Sequence, residues 1–338
     1  MAEETAKQTP AAAESSAASQ AVSVAPGPHV FGGSFTTRRM MMDVLIGLAP
    51  VLAASIWIFR LYAVKQIAIC VVSCLIFEAF LTAARRRPCS VGDFSAVVTG
   101  LILAFSLPGT APWYVGVIGS AAAIGIGKFI FGGLGHNIFN PAMLGRAFVM
   151  LAFTTALAAP GYRDENATLK ILTQATPMTA YQLEQKVAVL SDLFWGTTNG
   201  SLGETSAIAC LIGGLYLCLR RTASWEIPAA TILTVAAIGG AIQLASPGSQ
   251  WTVLHDLCGG ALLLGAFFIA TDPVTSPLTP RGKVIFGIGI GALVMMMRGL
   301  SSYPEGVMFS VLIMNAFTPL INRWTIPRPV GGRVRATP

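Results

Sequence analysis

Seven ionisable side chains fall within, or at the edges of, strongly apolar stretches of this sequence: Asp43, Glu78, Asp93, Arg146, Asp256, Asp272 and Glu305. In an apolar environment such residues pair with one another or mark the path of an ion or a substrate. Asp43 follows Arg38 and Arg39, which favours an interfacial position, and Arg146 is expected to pair with a carboxylate. The predicted candidates for an ion path are Asp93, Asp256, Asp272 and Glu305.

Two segments rich in Gly, Asn and Pro interrupt the apolar stretches, at residues 132–141 (GGLGHNIFNP) and 271–277 (TDPVTSP). Gly and Pro are typical of chain breaks. At membrane depth, irregular backbone is tolerated only where protein or a cavity satisfies its polar groups. The two breaks therefore predict a ligand site, and we expect Asn137 and Asn140 to line it.

A third candidate is the polar stretch at residues 172–178 (LTQATPM), which lies in the long hydrophilic segment 161–204. Its composition alone describes a polar turn. The six cysteines contain no CxxC pair, and only His255 and Cys258 have a ligand-like spacing, so no metal site is expected. The absence of Walker, Rossmann and HExxH patterns argues against a soluble nucleotide-using enzyme.

The elements that position these residues are predicted by composition. Hydrophobic residues make up 54% of the 338 residues and charged residues only 11%, and the mean hydropathy is +0.68. Soluble domains contain about 25% charged residues. Residues 227–254 and 306–322 contain no Asp, Glu, Lys or Arg, and apolar runs of this length are typical of membrane spans. The sequence predicts an all-α polytopic membrane protein.

Ten apolar segments can be delimited: 40–58, 67–83, 94–107, 113–131, 139–157, 205–219, 227–244, 257–271, 284–297 and 307–321. They form two sets of five, and at one common offset Asp93 aligns with Asp256 and Pro141 with Pro304. Because five is odd, the second set would be an inverted copy of the first. The predicted organisation is a disordered tail (1–33), a first repeat (34–157), an external loop (158–204), a second repeat (205–322) and a tail (323–338).

The basic residues predict the orientation. With the N-terminus inside, fifteen Lys and Arg residues fall on the cytoplasmic side, six fall outside, and Arg146 lies within a span. Cytoplasmic loops carry the excess of basic residues, so both termini are predicted to be cytoplasmic. The same clusters explain the net charge of +7 without a nucleic-acid partner.

These features converge on a known family. The stretches 28–44, 132–148 (GGLGHNIFNPAMLGRAF), 200–214, 259–283 and 303–321 (YPEGVMFSVLIMNAFTPLI) resemble the D subunit of the Rnf-type ion-translocating ferredoxin:NAD oxidoreductase complex. The B subunit of the sodium-translocating NADH:quinone reductase is its close relative. The similarity extends from about Pro28 to the C-terminus.

The resemblance implies specific cofactors. Thr173-Gln174-Ala175-Thr176 looks like the family's flavin-attachment motif, with Lys170 where an acidic residue is common and Gln174 where Gly is common. It implies FMN joined through its phosphate to the Thr176 hydroxyl, and a second, noncovalent flavin (riboflavin) among the spans. The break that contains Asn137 and Asn140 is the candidate lining of the riboflavin site.

The implied function is electron transfer coupled to Na⁺ or H⁺ translocation in a bacterial cytoplasmic membrane. The implied partners are the other subunits of the complex, including a second FMN-bearing subunit, together with membrane lipid and a flavin transferase during maturation. A solute channel or transporter remains the alternative, because inverted repeats with broken helices fit either architecture. A visible spectrum of the purified chain separates the two.

Overall fold

The structure is a computed structural model that describes residues 36–86, 90–157, 177–184, 187–198, 200–204, 206–246, 250–300 and 306–327. Within these ranges the regular structure is helical and contains no β-strand, which agrees with the all-α prediction. Thr176, Glu305, the tail 1–33 and most of the tail 323–338 lie outside the described residues. Predictions about them stay predictions.

Fourteen α-helices are found in the described residues. They are α1 (Thr37–Phe59), α2 (Leu61–Ala84), α3 (Ser95–Ser106), α4 (Trp113–Ile124), α5 (Pro141–Ala152), α6 (Thr154–Leu157), α7 (Pro177–Glu184), α8 (Leu190–Trp195), α9 (Ala207–Leu219), α10 (Glu226–Ala245), α11 (Val253–Cys258), α12 (Leu262–Leu264), α13 (Pro280–Leu300) and α14 (Val307–Thr325). A π-helical segment follows α4 at Gly125–Phe129 and another follows α12 at Gly265–Ile269.

Each of the ten predicted apolar segments contains helix. By length and composition, α1, α2, α10 and α13 are each able to cross a membrane, whereas α3, α5, α9 and the α4 segment are shorter apolar helices. Large apolar side chains are exposed on these helices, including Ile46, Phe80, Leu215 and Leu233. Such faces suit acyl chains rather than water. The protein is an all-α polytopic membrane protein.

The two halves of the bundle pack in a similar way. In the first half α2 packs against α4, and α4 against α5; in the second half α10 packs against α13, and α13 against α14. The second helix therefore contacts the fourth, and the fourth contacts the fifth, in each half. This matching supports the predicted repeat.

The halves meet along α1 and α9, which cross at Gly47 and Gly213. A Cβ atom on Gly213 would overlap the carbonyl oxygen of Gly47, and one on Gly47 would lie 2.9 Å from the Cγ of Leu217. Small residues at such a crossing let two helix backbones approach closely, which drives association where both helices face lipid. Glycine at these two positions sets the distance between the halves.

Contacts define two ends of the bundle. At the basic end, where α1 begins, the Arg38 guanidinium lies 5.4 Å from the Phe94 ring centroid, and Arg220 Nη2 at the end of α9 lies 3.2 Å from Asp43 Oδ1. At the loop end, where α1 finishes, Ser55 Oγ donates to the carbonyl of Leu202. The segment that contains α7 and α8 joins the halves at the loop end.

Two sequence interpretations concern buried charges. Arg146 pairs with Glu204 at 3.2 Å, so the prediction of a carboxylate partner is confirmed. Asp43, for which the sequence favours an interfacial position or a paired charge, is 5% exposed and accepts hydrogen bonds from Arg220 and Thr222 of the second half. Arg220, its ionic partner, is 177 positions away in the chain.

Candidate ligand cavity between the two halves

A cavity opens between the halves towards the basic end of the bundle. Its free volume is about 70 Å³. Both breaks and both π segments contribute to its lining, together with α1, α3 and α9. The lining includes Met40, Met41, Ser95, Thr99, Lys128, Asn137, Asn140, Leu217, Thr222, Phe268, Thr271 and Asp272.

The first break positions Asn137 and Asn140. Gly132, Gly133 and Gly135 adopt φ angles of 120°, 108° and 93°, which side-chain-bearing residues rarely adopt. The backbone then re-enters a helix at Pro141, where Asn140 caps α5 by accepting from Ala142 N at 3.1 Å. Proline at the first position of a helix loses no hydrogen bond there. The local sequence thus explains both the break and the restart.

Asn140 also joins the halves. Its Nδ2 donates to the carbonyl of Ile269 at 3.2 Å, in the second π segment, and its side chain is 4% exposed. The amide oxygen of Asn140 therefore bonds in the first half, and its amide nitrogen bonds in the second half. We expect it to fix the width of the cavity, because its cap and its cross-link use opposite ends of one short side chain.

The second break is organised by Asp272. Its Oδ1 accepts from Val274 N at 3.3 Å and its Oδ2 from Thr275 Oγ1 at 3.1 Å, which is a local turn of the kind that Asp favours. On α14, Thr318 Oγ1 donates to the Thr275 carbonyl at 3.0 Å. Asn315, oriented so that its neighbours are satisfied, accepts from Asn140 N and lies 2.9 Å from Thr275 Oγ1, whose one proton it shares with Asp272. The two breaks are therefore held against each other.

The π segments bring a cation and a ring to the cavity. Lys128 and Phe268 lie in the first and second π segment respectively, and both contribute to the lining. A Cβ atom on Gly127 would lie 2.8 Å from the Pro141 Cα, so the first segment passes tightly against the start of α5. Single π turns inside α-helices are frequent at functional sites.

Lys128 is paired within the protein. Its Nζ lies 2.7 Å from Glu78 Oε1 and 2.6 Å from Ser95 Oγ, and its side chain is 2% exposed. Ser95 Oγ in turn donates to Asp93 Oδ1 at 2.6 Å. The π segment turns Lys128 inward onto a buried carboxylate, a pairing that the count of basic residues on each side does not predict.

Asn137 brings an amide oxygen without a hydrogen-bond partner to the cavity lining. It is 7% exposed, and its Oδ1 has no hydrogen-bond partner among the described residues. A buried acceptor without a partner costs about 1–3 kcal/mol, and binding sites are where such a cost is offset by a ligand. The oxygen can accept one or two hydrogen bonds from an N–H or O–H group.

This arrangement suits an uncharged ligand with a few polar groups. The lining is mainly apolar, its amides and hydroxyls provide a few hydrogen bonds, and Lys128 is neutralised by Glu78. Cofactor sites commonly combine an apolar lining with a few polar groups that fix orientation.

The predicted site residues separate into three groups. Asn137, Asn140 and Asp272 come together around the cavity. Asp93 is outside the lining and accepts from the N–H of Ser95, the first residue of α3, at 2.8 Å. Asp256 lies at the loop end, where Trp251 Nε1 donates to it at 2.9 Å. Asp93 and Asp256 are thus at opposite ends, as inverted repeats require.

Sequence reasoning missed Lys128 and Asn315 as site residues. Lys128 could have been found, because it falls inside the apolar segment 113–131, where a cation needs a partner. Asn315 carried a weaker signal of the same kind. It lies in a segment without charges and is 1% exposed, so its amide must bond within the protein.

Comparisons with known proteins agree with the resemblance. The sequence profile of the NQR2, RnfD, RnfE family matches residues 23–331. The chain is 40% identical over 317 residues to the D subunit of the Na⁺-translocating ferredoxin:NAD⁺ oxidoreductase complex of Acetobacterium woodii, covering 92% of this chain and 95% of the relative.

Two further relatives carry similar names. The D subunit of the proton-translocating ferredoxin:NAD⁺ oxidoreductase complex of Clostridium ljungdahlii is 37% identical, covering 92% of this chain and 96% of the relative. The D subunit of the ion-translocating oxidoreductase complex of Halorhodospira halophila is 37% identical, covering 91% and 95%. The chain therefore belongs to the NQR2, RnfD, RnfE family.

Proposed function

We propose that this chain is the D subunit of an ion-translocating ferredoxin:NAD⁺ oxidoreductase complex and carries electrons within the membrane. The observation that carries the proposal is the similarity over almost the whole chain to relatives that bear this name. The chain works with the other subunits of the complex, including a second FMN-bearing subunit, in a bacterial cytoplasmic membrane. On this proposal both termini are cytoplasmic and the loop end is external.

Two flavins supply the redox chemistry when bound: FMN linked through its phosphate to Thr176, and riboflavin in the cavity. Cofactors carry such chemistry while the protein positions them and tunes their potentials. The fit to riboflavin is supported by the Asn137 oxygen, which lacks a partner among the described residues and can orient an N–H group. Asn140 holds the cavity open by joining α5 to the second π segment.

The fit to FMN is supported by the place of the attachment motif in the chain. Thr176 directly precedes α7, and the second residue of that helix, Met178, is 5% exposed. A flavin transferase can reach a hydroxyl in the loop that joins the two halves more easily than one within the bundle. The role of Thr176 is to keep the cofactor at the loop end.

One experiment tests both cofactor assignments. Covalent flavin survives denaturing electrophoresis and fluoresces in the gel, whereas noncovalent flavin is released and can be measured by chromatography. Thr176→Ala should abolish the gel fluorescence while riboflavin content stays the same. Asn137→Leu should do the opposite, because it removes the acceptor but leaves the loop unchanged.

Thr173→Ala removes the other hydroxyl of the same motif and should reduce attachment only if the flavin transferase reads that position. Asp192→Asn, on α8 at the loop end and outside the cavity lining, is the control for riboflavin content. A Thr176→Ala protein that fluoresces fully after denaturation would refute attachment at Thr176. An unchanged riboflavin content in the Asn137→Leu protein would refute riboflavin binding in this cavity.

Electron transfer is coupled to Na⁺ or H⁺ movement, and Asp93, Asp256, Asp272 and Glu305 are the proposed ion-path carboxylates. Asp272 has the strongest support, because it lines the cavity where the halves meet. We expect neutralisation of at least one of Asp256, Asp272 and Glu305 to reduce ion flux into vesicles more than flavin content. Normal pumping by all three Asn or Gln variants would make these residues structural.

A further inference from the structure

A second recess lies at the loop end of the bundle, away from the cavity. It lies between α7, α10, α11 and α13, and its free volume is about 240 Å³. Its lining includes Met178, Tyr181, Trp251, Asp256 and Arg298. These residues are separate from those that line the cavity between the halves.

One side of the recess is an aromatic stack. The Tyr181 and Trp251 ring centroids are 4.4 Å apart with an interplanar angle of 25°, and Trp251 lies 5.0 Å from the His255 ring centroid. Tyr181 comes from α7, whereas Trp251 and His255 come from the start of the third segment of the second half. The stack therefore joins the loop segment to the bundle.

The stack is held rigidly on its bundle side. Trp251 is 8% exposed, and its Nε1 donates to Asp256 Oδ1 at 2.9 Å. The two nitrogens of the His255 ring lie 2.7 Å from Thr252 Oγ1 and 3.1 Å from the carbonyl of Ala188. Rings fixed by hydrogen bonds lose little entropy when another ring packs on them.

The other side of the recess is polar but balanced in charge. Arg298 donates from Nη1 to the Asp256 carbonyl at 2.6 Å and from Nη2 to the Gly259 carbonyl at 2.9 Å, and Nη1 lies 3.8 Å from Asp256 Oδ1. An acyl chain would leave these groups facing hydrocarbon, which is unfavourable. A heteroaromatic ring with polar edges suits both sides of the recess.

The position of α7 in the chain indicates which heteroaromatic ring is available to the recess. Pro177, the first residue of α7, directly follows Thr176 in the chain, and both Met178 and Tyr181 of the same helix line the recess. A group tethered at Thr176 has a high local concentration there, because a short tether replaces diffusion. A flavin ring linked to Thr176 is therefore well placed to reach the recess.

We propose that this recess docks the isoalloxazine ring of the flavin linked to Thr176, with Tyr181 and Trp251 as its ring contacts. The inference rests on the proposed attachment at Thr176. Docking gives the tethered ring one position at the loop end, so that its distance to electron-transfer partners is defined. Tyr181 and Trp251 are positioning residues in this arrangement.

Fluorescence of the folded protein tests the docking, because Tyr and Trp in contact with an isoalloxazine ring quench its emission. Emission of the purified full chain in detergent is measured per covalent flavin, after subtraction of the Thr176→Ala protein to remove the riboflavin signal. Tyr181→Leu and Trp251→Leu should each raise that emission and increase its quenching by iodide. An aromatic contact of typical strength predicts about a fivefold shift in the docked-to-free ratio.

Tyr181→Trp should keep the emission low, since it retains a quenching ring. Trp195→Leu is the matched control: Trp195 is 65% exposed at the same end of the bundle and outside the recess. Denaturing gels keep the two proposals distinguishable. No covalent flavin in the parent protein would overturn attachment, whereas covalent flavin with unchanged emission and iodide access in both Leu variants would overturn docking alone.

Discussion

The two halves each bury a basic residue of their fourth segment, but they hold it differently. In the first half, Lys128 lies against Glu78 at 2.7 Å, with side-chain exposures of 2% and 0%. In the second half, Arg298 donates to two backbone carbonyls near the start of the third segment, and its pair with Asp256 is longer, at 3.8 Å. The Glu78 carboxylate neutralises Lys128, whereas Arg298 mainly donates hydrogen bonds to backbone carbonyls.

The difference follows from the shapes of the two cations. The ammonium group of Lys is a compact charge that one carboxylate and one hydroxyl can surround, whereas the guanidinium of Arg is a planar fork with several donors in fixed directions. The unwound stretch after α11 offers carbonyls that need donors, and the fork reaches two of them. We infer that Lys128 contributes through charge and Arg298 through hydrogen-bond geometry.

The largest expected effect is the loss of one partner of the first pair. Glu78→Met leaves the Lys128 ammonium buried without a counter-charge, and breaking such a pair costs about 3–5 kcal/mol. Thermal unfolding of the detergent-solubilised chain measures the loss. The double variant Glu78→Met/Lys128→Met should be markedly more stable than Glu78→Met alone. If the two single losses simply add, the pair is not coupled and the comparison fails.

Arg298→Lys should have an intermediate effect. A lysine keeps the charge but reaches one carbonyl instead of two, and an unsatisfied buried acceptor costs about 1–3 kcal/mol. Arg281→Lys on the same helix is the control, since Arg281 is exposed and surface changes stay within about 0.5 kcal/mol. Equal unfolding temperatures for the two variants would show that charge, not geometry, is what Arg298 supplies.

Asp256→Asn should have the smallest effect, about 1 kcal/mol or less. The amide oxygen can still accept from Trp251 Nε1, and the ion pair that is lost has the longer separation. Asp256→Leu, which removes both contacts, should unfold at a lower temperature than Asp256→Asn. The same stability for the Leu and Asn variants would mean that the Trp251 hydrogen bond contributes nothing.

Much of the fold could be predicted from the sequence, because apolar length and charge segregation directly reflect the solvent around each helix. The ten segments and the two breaks needed no tertiary information. Asn137 and Asn140 could be singled out for the same reason, since amides beside glycines and a proline mark a break that must be satisfied. These features are all local in the chain.

Which side chains pair with each other could not be predicted, because the pairing depends on contacts between segments that are distant in the chain. Asp43 bonds to Arg220, 177 positions away in the chain, and Lys128 bonds to Glu78, 50 positions away. The stack of Tyr181 on Trp251 joins residues from the loop and the second half. Local sequence carries no signal of which apolar or aromatic residues will meet across 70 positions.

The cross-link from Asn140 to the Ile269 carbonyl also has a consequence for biosynthesis. When a ribosome has completed the first repeat, the asparagines of the first break exist, but the second π segment and the Asp272 turn have not been made. The cavity lining extends from Met40 to Pro273 in the chain. Capture of a ligand there is therefore a late event, available only after the second half has entered the membrane and closed against the first.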